Sequence, residues 1–117
     1  MFRQQTETVF DVLSDKTARA IFTHIHECPQ SAKDLQETCS ASLKTVYRRL
    51  ENLQEAGLVL PVEQVDEEGT HYTVYATAVE EVEISVKPGD SSVEVEIHEE
   101  DNVDRFVSVW SELQNQE

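Results

Sequence analysis

The chain has 117 residues, a length that fits one small domain with a modest core. It carries 24 acidic and nine basic side chains, which give a net charge of −15 when the histidines are neutral. No apolar run approaches the roughly 20 residues that a membrane-spanning helix needs, and no signal-peptide pattern is present. We therefore expect a cytoplasmic protein with no membrane partner.

The first elements have the periodicity of α-helices. Apolar residues recur at helical spacing over 6–13. Ser14 or Asp15 provides an N-cap for a second helix, which runs to about Glu27 and stops before Pro29. Two short helices are therefore expected to open the fold.

Two further helices follow, with a tight turn between them. Ser31 is the expected N-cap of the third helix, and Asp34 is the acid of its capping box. Residues 39–41 make the turn, and Ser42 caps a fourth helix that ends at Gly57. This arrangement is typical of a helix-turn-helix, whose second helix enters the major groove of DNA.

The fourth helix has two chemically different sides. Its predicted buried stripe consists of Leu43, Val46, Leu50 and Leu53. Basic and hydroxyl side chains occupy the other side: Lys44, Thr45, Arg48 and Arg49. Arg48 is the first candidate for a base contact, because its guanidinium matches O6 and N7 of guanine.

The remaining DNA contacts are expected to fix affinity and position. Lys44 and Arg49 are expected to contact phosphates. Tyr47 either donates to a phosphate or is partly buried. The predicted DNA-binding residues are Lys33, Ser42, Lys44, Thr45, Tyr47, Arg48, Arg49, Thr70 and His71.

The periodicity then changes from helices to strands. Residues 58–65 and 71–76 alternate as two strands, and residues 66–69 form a turn between them. A hairpin directly after a recognition helix predicts a wing. Thr70 and His71 of this wing are expected to reach the DNA backbone or the adjacent minor groove.

A second, acidic hairpin follows the wing. Alternation predicts strands over 81–86 and 93–98, with a turn at 87–91. One side of this hairpin is rich in carboxylates and should face water. The other side should be packed, and its residues are Val82, Ile84, Val86, Val93, Val95 and Ile97.

The last predicted element is a helix with its N-cap at Asp101 or Asn102. Its apolar stripe is Val103, Phe106, Val107, Trp110 and Leu113. This stripe exceeds what a small core is expected to consume, which predicts a homodimer with an isologous interface. The predicted dimerisation residues are Phe10, Phe106, Trp110 and Leu113. Packing of the last helix over the sheet of its own chain is the alternative.

These elements predict an α+β fold. Residues 1–78 are expected to form a winged helix-turn-helix with a β-hairpin wing. Residues 79–117 add the second acidic β-hairpin and a C-terminal dimerisation helix, as an extension of the same domain.

The charge is distributed very unevenly along the chain. Residues 1–60 contain seven basic and eight acidic side chains, whereas residues 61–117 contain two basic and 16 acidic ones. At molar salt the Debye length falls to about 3 Å, so such self-repulsion is screened. An acidic, lysine-poor chain therefore suggests a halophilic, archaeal source, with an acidic protein-interaction surface as the alternative. Monovalent cations from the salt are expected to bridge wing carboxylates such as Glu67 and Glu68 to phosphates.

Two sequence segments resemble ArsR-like winged helix-turn-helix regulators, most closely the haloarchaeal type. The segments are LSDKTARAI at 13–21 and TVYRRLENLQEAGLV at 45–59. The likeness covers about residues 8–77. It implies a homodimer that controls transcription by binding a palindromic operator in double-stranded DNA. Metal-sensing members carry a Cys-x-Cys pair, and this chain has a lone Cys39 in that region, so thiolate metal sensing is not expected.

No catalytic or cofactor-binding pattern accompanies these elements. His24 and His26 lie two residues apart, so on a helix they point in different directions, and no metal site is expected. Cys28 and Cys39 are best interpreted as semi-buried thiols, with oxidation sensing as the alternative. We therefore expect neither an enzyme nor a cofactor-dependent protein. The runner-up function is a winged-helix protein-interaction module that no longer binds DNA.

Overall fold

The computed structural model describes residues 3–89 and 92–99, with side chains from residue 6 onward. Four helices precede two antiparallel hairpins. The helices are α1 (Arg3–Leu13), α2 (Lys16–Glu27), α3 (Ala32–Cys39) and α4 (Leu43–Glu55). The strands are β1 (Val59–Val65), β2 (His71–Thr77), β3 (Val79–Val86) and β4 (Val93–Glu99).

The helix starts follow the local capping chemistry that the sequence predicts. The Asp15 carboxylate accepts the N–H of Ala18 at 2.8 Å. Ser31 and Asp34 form the full capping box, with N–O distances of 3.1 and 3.3 Å. Ser42 Oγ accepts the N–H of Thr45 at 3.1 Å and so caps α4. The predicted N-caps of α2, α3 and α4 are therefore confirmed, whereas the cap predicted at Asp101 or Asn102 lies outside the described residues.

Gly57 ends α4 in the left-handed conformation, with φ +77°. The N–H of Gly57 donates to the carbonyl of Gln54, and the N–H of Leu58 donates to that of Leu53, each at 3.0 Å. This pair of bonds is a Schellman motif, in which a left-handed residue satisfies the last carbonyls of a helix. It turns the chain directly from α4 into β1.

The core lies between the helices and the near ends of both hairpins. Its largest fully buried helical side chains are Val9, Ile21, Ile25, Leu35, Val46, Leu50 and Leu53. Leu58, Val59 and Tyr75 join it from the first hairpin, and Val79 and Val95 from the second. Both hairpins are therefore anchored to the helices at one end.

The first hairpin pairs β1 with β2, from Val59 opposite Thr77 to Val65 opposite His71. The segment between α2 and α3 adds a single bridge to its outer edge, because Gln30 exchanges backbone hydrogen bonds of 3.1 and 2.8 Å with Tyr75. This bridge fixes the root of the wing against the helices. No periodic pattern in the sequence indicates this bridge, because a single paired residue has no period.

Two predictions about packing are wrong. Leu43 is exposed, although it shares the angular face of Leu50. A helical side chain packs over the turn that precedes it, and Leu43 is the first residue of α4. In the second hairpin the predicted apolar side is packed only in part, because Val95 is buried whereas Ile84, Val86 and Val93 are exposed.

The predicted C-terminal helix lies outside the described residues, and so do Phe106, Trp110 and Leu113. In the described ranges 3–89 and 92–99, each helix falls short of the length and hydrophobicity that a membrane crossing requires.

Candidate nucleic-acid interface

The turn between α3 and α4 places the fourth helix against the first three. Ser40 adopts φ 51° and ψ 44°, which is the left-handed region that glycine favours. The chain reverses there, and Ser42 begins the next helix two residues later. A reversal this short requires the two helices to cross at close range, as they do in a helix-turn-helix.

The buried side of α4 determines which side remains outside. Val46, Leu50 and Leu53 are fully buried against the other helices. Their opposite side carries Lys44, Tyr47 and Arg48, all exposed. Burial of the apolar stripe therefore orients the basic side chains toward solvent.

Lys44 and Arg48 lie one helical turn apart on this exposed side. In the part of the chain that the structure describes, neither has an acidic side chain within ion-pair distance. Glu51 and Glu55 are exposed nearer the end of α4. Positive charge is therefore concentrated in the first half of the helix, the half that reads base edges in helix-turn-helix complexes.

The hydroxyl groups at the start of α4 bind each other. Ser42 Oγ donates to Thr45 Oγ1 at 2.9 Å while it accepts the N–H of Thr45. Thr45 is half-buried and Ser42 is exposed. These two hydroxyl groups thus stabilise the N-terminal end of α4, next to Lys44.

Arg49 pairs with an acid of another helix. Its Nε donates to Asp15 Oδ2 at 2.9 Å, and both side chains are partly buried. Asp15 is also the N-cap of α2, so one carboxylate connects the start of α2 to α4. The Ala18 N–H, and after it the Arg49 guanidinium, lower the pKa of Asp15, although partial burial acts in the opposite direction.

Tyr47 lies on the exposed side of α4, near the root of the wing. Burial, together with the neighbouring Tyr47, raises the pKa of Tyr75 on β2. Tyr75 is in the core, whereas Tyr47 remains about half exposed. The Tyr47 hydroxyl is therefore accessible to an outside acceptor such as a phosphate.

The tip of the wing is a tight and acidic turn. Asp66 Oδ1 accepts the N–H groups of both Glu68 and Thr70 at 2.9 Å. Gly69 has φ +84°, which closes the turn. Thr70 is exposed at this tip, beside the exposed carboxylates of Glu67 and Glu68. Any polyanion that approaches the tip meets negative charge first.

The other two predicted DNA-binding residues lie on either side of this region. His71 is exposed at the start of β2, and its Nδ1 lies 3.8 Å from Glu63 Oε2. Lys33 is exposed in the first turn of α3. The predicted set thus divides into a cluster on α4, one residue of α3 and two residues of the wing.

Residues 13–62 match the family model of the helix-turn-helix domain. The match runs from the end of α1 through α2, α3 and α4 into β1, so it covers the whole helix-turn-helix described above. No curated protein matches the chain. This likeness of residues 13–62 to a helix-turn-helix domain supports a DNA-binding transcriptional regulator.

The two cysteines are free and half-buried. Burial raises the pKa of both thiols, and the charges of Glu27 and Asp34 raise that of Cys28 further. Only the thiolate reacts with oxidants or binds metal readily, so both groups are weak nucleophiles at neutral pH.

Sequence analysis missed three polar contacts that join separate elements. Asp15 and Arg49 are 34 positions apart, and no local pattern indicates their pairing. His26 Nδ1 lies 3.2 Å from Thr77 Oγ1. The Thr77 hydroxyl in turn donates to the Val79 carbonyl. His26 thus has a structural partner at the junction of the hairpins.

A third group, Glu81, Glu83 and His98, converges on the solvated face of the second hairpin, with one ligand-type atom of each within 4.8 Å of the others. His98 Nε2 lies 2.7 Å from Glu83 Oε1. A signal for this group existed in the sequence, since residues 81 and 83 share one face of a strand. The position of His98 could not be predicted in this way, because it depends on the strand register that places His98 opposite Glu81.

Proposed function

We propose that this chain is a sequence-specific transcriptional regulator, which acts as a homodimer on a palindromic operator in a high-salt cytoplasm. The observation that carries the proposal is the pair of exposed cations, Lys44 and Arg48, on the first half of α4. Within the described residues they have no acidic partner. In a chain of net charge −15, two such cations on the outward side of a helix-turn-helix favour a polyanionic partner.

The proposed contacts follow from the geometry of the exposed side of α4. Arg48 binds a guanine through O6 and N7, because its guanidinium fork can donate two parallel hydrogen bonds. Lys44 and Tyr47 bind phosphates and set the position of the helix. Ser42 and Thr45 lie at the same end and can approach the backbone. Arg49 Nε is bound to Asp15, so Arg49 contacts a phosphate only through its remaining guanidinium N–H groups.

The wing and α3 complete the proposed interface. Thr70 and His71 reach the DNA backbone or minor groove, and Lys33 contacts a flanking phosphate. Because Glu67 and Glu68 are exposed at the same tip, we propose that cations from concentrated salt bridge these carboxylates to phosphates. An ArsR-like, haloarchaeal regulator is the class that this combination fits, and no enzymatic activity is proposed.

The decisive experiment is a DNA-binding titration in about 2 M KCl, where screening is nearly complete. The DNA upstream of the coding sequence is compared with random duplex of equal length. Arg48→Ala should lose about 1–3 kcal/mol of discrimination between the two, which is the usual contribution of one good bidentate base contact.

Lys87→Ala is the matched control, because it removes one exposed positive charge outside the helix-turn-helix. It should leave the discrimination unchanged. Equal losses of discrimination in Arg48→Ala and Lys87→Ala would mean that Arg48 contributes only general electrostatic attraction. Absence of specific binding by the wild type at every salt concentration would contradict the regulator.

A protein-interaction module is the second candidate function. The observation that favours it is the outer half of the second hairpin, which exposes Ile84, Val86 and Val93 on one face and carboxylates on the other. Such a module does not need an unpaired Lys44 and Arg48. Failure of the DNA titration would make this candidate the leading one.

A further inference from the structure

The outer half of the second hairpin has an apolar face without a covering element in the described structure. Ile84 is 55% exposed, Val86 72% and Val93 42%. Register pairs Val86 with Val93 and Ile84 with the buried Val95, so these side chains adjoin one another. We name Ile84, Val86 and Val93 the hairpin face. Exposed apolar patches of this kind mark interaction sites.

Grooves continue the hairpin face on both sides toward the helices. One, of about 820 Å³, lies between α1 and β4, and Phe10, Val93 and Val95 contribute its apolar lining. The other, of about 640 Å³, lies between α2 and β3, where Phe22 and Ile84 are among its lining residues. Their rims are mostly acidic. The combined surface is thus a long apolar strip with a charged border, which suits the apolar side of an amphipathic helix.

We propose that the occupant is the C-terminal segment 103–113 of a second copy of this chain. This inference rests on the homodimer of the proposed function, and it names the surface that receives each apolar tail. The segment is the largest apolar stripe outside the described residues: Val103, Phe106, Val107, Trp110 and Leu113. As a helix it spans about 16 Å, at 1.5 Å per residue.

The size of the strip matches that span. From Val82 to Val86 the strand advances by about 13 Å, at 3.3 Å per residue. Five apolar side chains on one helical side therefore meet the hairpin face and the adjoining grooves along their whole length. Both surfaces are removed from water by a single contact.

The direction of β4 favours a second copy over the same chain. The strand runs from Val93 at the exposed end to Glu99 at the core end, opposite Val79. The chain thus leaves the hairpin while moving away from Val86 and Val93, and its own tail must reverse direction to cover them. In a two-fold dimer each tail continues onto the partner, and the two contacts are reciprocal.

Trp110 is the one tryptophan of the chain, so its fluorescence reports directly on the tail. In about 2 M KCl, where screening is strong, the wild type should be a dimer by light scattering, with short-wavelength Trp110 emission. Ile84→Glu should halve the mass and shift the emission to longer wavelength. Val65→Glu, a similarly exposed position (53%) in the first hairpin, is the control and should change neither.

A mixing experiment separates the second copy from the same chain. Full-length Ile84→Glu, whose hairpin face is damaged, is mixed with an excess of full-length Trp110→Ala, whose hairpin face is intact and which does not emit. Docking onto a second copy predicts that the emission of the Ile84→Glu chain returns toward shorter wavelength on mixing. Circular dichroism of each variant confirms that its fold is retained.

Three results would overturn the inference. They are an unchanged dimer in Ile84→Glu, no recovery on mixing, and a monomeric wild type with buried Trp110, which would mean that the tail covers its own chain. The DNA titration with Arg48→Ala is independent of all three. An unaltered dimer in Ile84→Glu, together with specific DNA binding by the wild type, therefore refutes this inference alone, whereas absence of specific binding by the wild type refutes the proposed function. A monomeric wild type would also contradict the homodimer of that proposal.

Discussion

Asp15 has two contacts that differ in kind, one within α2 and one with α4. Its carboxylate caps α2 through the N–H of Ala18 and also accepts from Arg49 at 2.9 Å. Loss of an N-cap typically costs about 1 kcal/mol, whereas partly exposed ion pairs contribute about 0–1 kcal/mol. The cap should therefore be the larger contribution of this residue to stability.

Two substitutions at Asp15 test this order. Asp15→Ala removes the cap and the ion pair, and should lower the free energy of unfolding by about 1 kcal/mol or more. Asp15→Asn retains a capping side chain and removes only the charge, so it should lower the free energy by less. Urea unfolding of the three proteins at pH 7 measures both losses. A larger loss in Asp15→Asn than in Asp15→Ala would contradict the ranking.

The same pair of variants has a pH signature. Because the pKa of Asp15 is lower in the folded protein, its ionisation stabilises the fold fully above the usual aspartate range of about 4. That contribution is lost as the pH falls through the lowered folded value. The difference in unfolding free energy between wild type and Asp15→Asn should therefore shrink in acid and stay constant near neutrality.

At the scale of elements, the turn between α3 and α4 carries both an unfavourable and a favourable feature. Ser40 holds a left-handed conformation that costs a non-glycine residue about 1–2 kcal/mol. Ser42, two positions later, caps α4. The turn thus positions the start of α4, and the strained backbone of Ser40 reduces the stability that the turn contributes.

Substitutions at these two serines should have opposite effects. Ser40→Gly should raise the free energy of unfolding by a few tenths to about 1 kcal/mol, because glycine adopts this conformation without a steric penalty. Ser42→Ala should lower it by about 1 kcal/mol through loss of the cap. Urea unfolding checks both. Destabilisation by Ser40→Gly would show that the Ser40 side chain contributes more than its strained backbone costs.

At the scale of the whole molecule, acidic charge is concentrated in the second half of the chain, away from the helix-turn-helix. Within the second hairpin, Glu83 and Glu96 are directly opposite each other, an arrangement that repels. His98 lies 2.7 Å from Glu83 and 3.9 Å from Glu96 and reduces that repulsion only when protonated. The hairpin should therefore depend on dissolved ions.

Salt dependence of stability tests this view and the halophilic assignment together. The free energy of unfolding in urea should rise between dilute buffer and about 2 M KCl, since the Debye length shrinks to a few ångströms. Glu96→Gln removes one member of the repelling pair, so its stability should rise less steeply with salt. Equal stability of the wild type in both buffers would refute the halophilic assignment.

The capped helices and the first hairpin could be predicted because their signals are local. Ser31 and Asp34 are three residues apart, and the side-chain oxygen of each accepts the backbone N–H of the other. The exposed Lys44 and Arg48 followed from the same periodicity that buries Val46 and Leu50. In these cases a few neighbouring residues contain the whole physical cause.

Errors arose where the cause was not local. Alternation correctly placed Ile84 and Val86 on one side of a strand, but it could not show that both side chains stay exposed in the folded chain. The predicted burial of Leu43 was wrong for the same reason, at the start of α4. Periodicity assigns a side chain to a face, whereas burial depends on whether another element covers that face.

The sequence by itself determined the order of helices and strands, the caps that start them and the basic side of α4, because hydrogen bonds and periodicity act over a few residues. The tertiary structure alone decided that Arg49 binds Asp15, that Gln30 pairs with Tyr75, and that the hairpin face remains open. Each of these depends on how far elements extend and how they cross. Those are properties of packed elements, which the residues of a single segment do not encode.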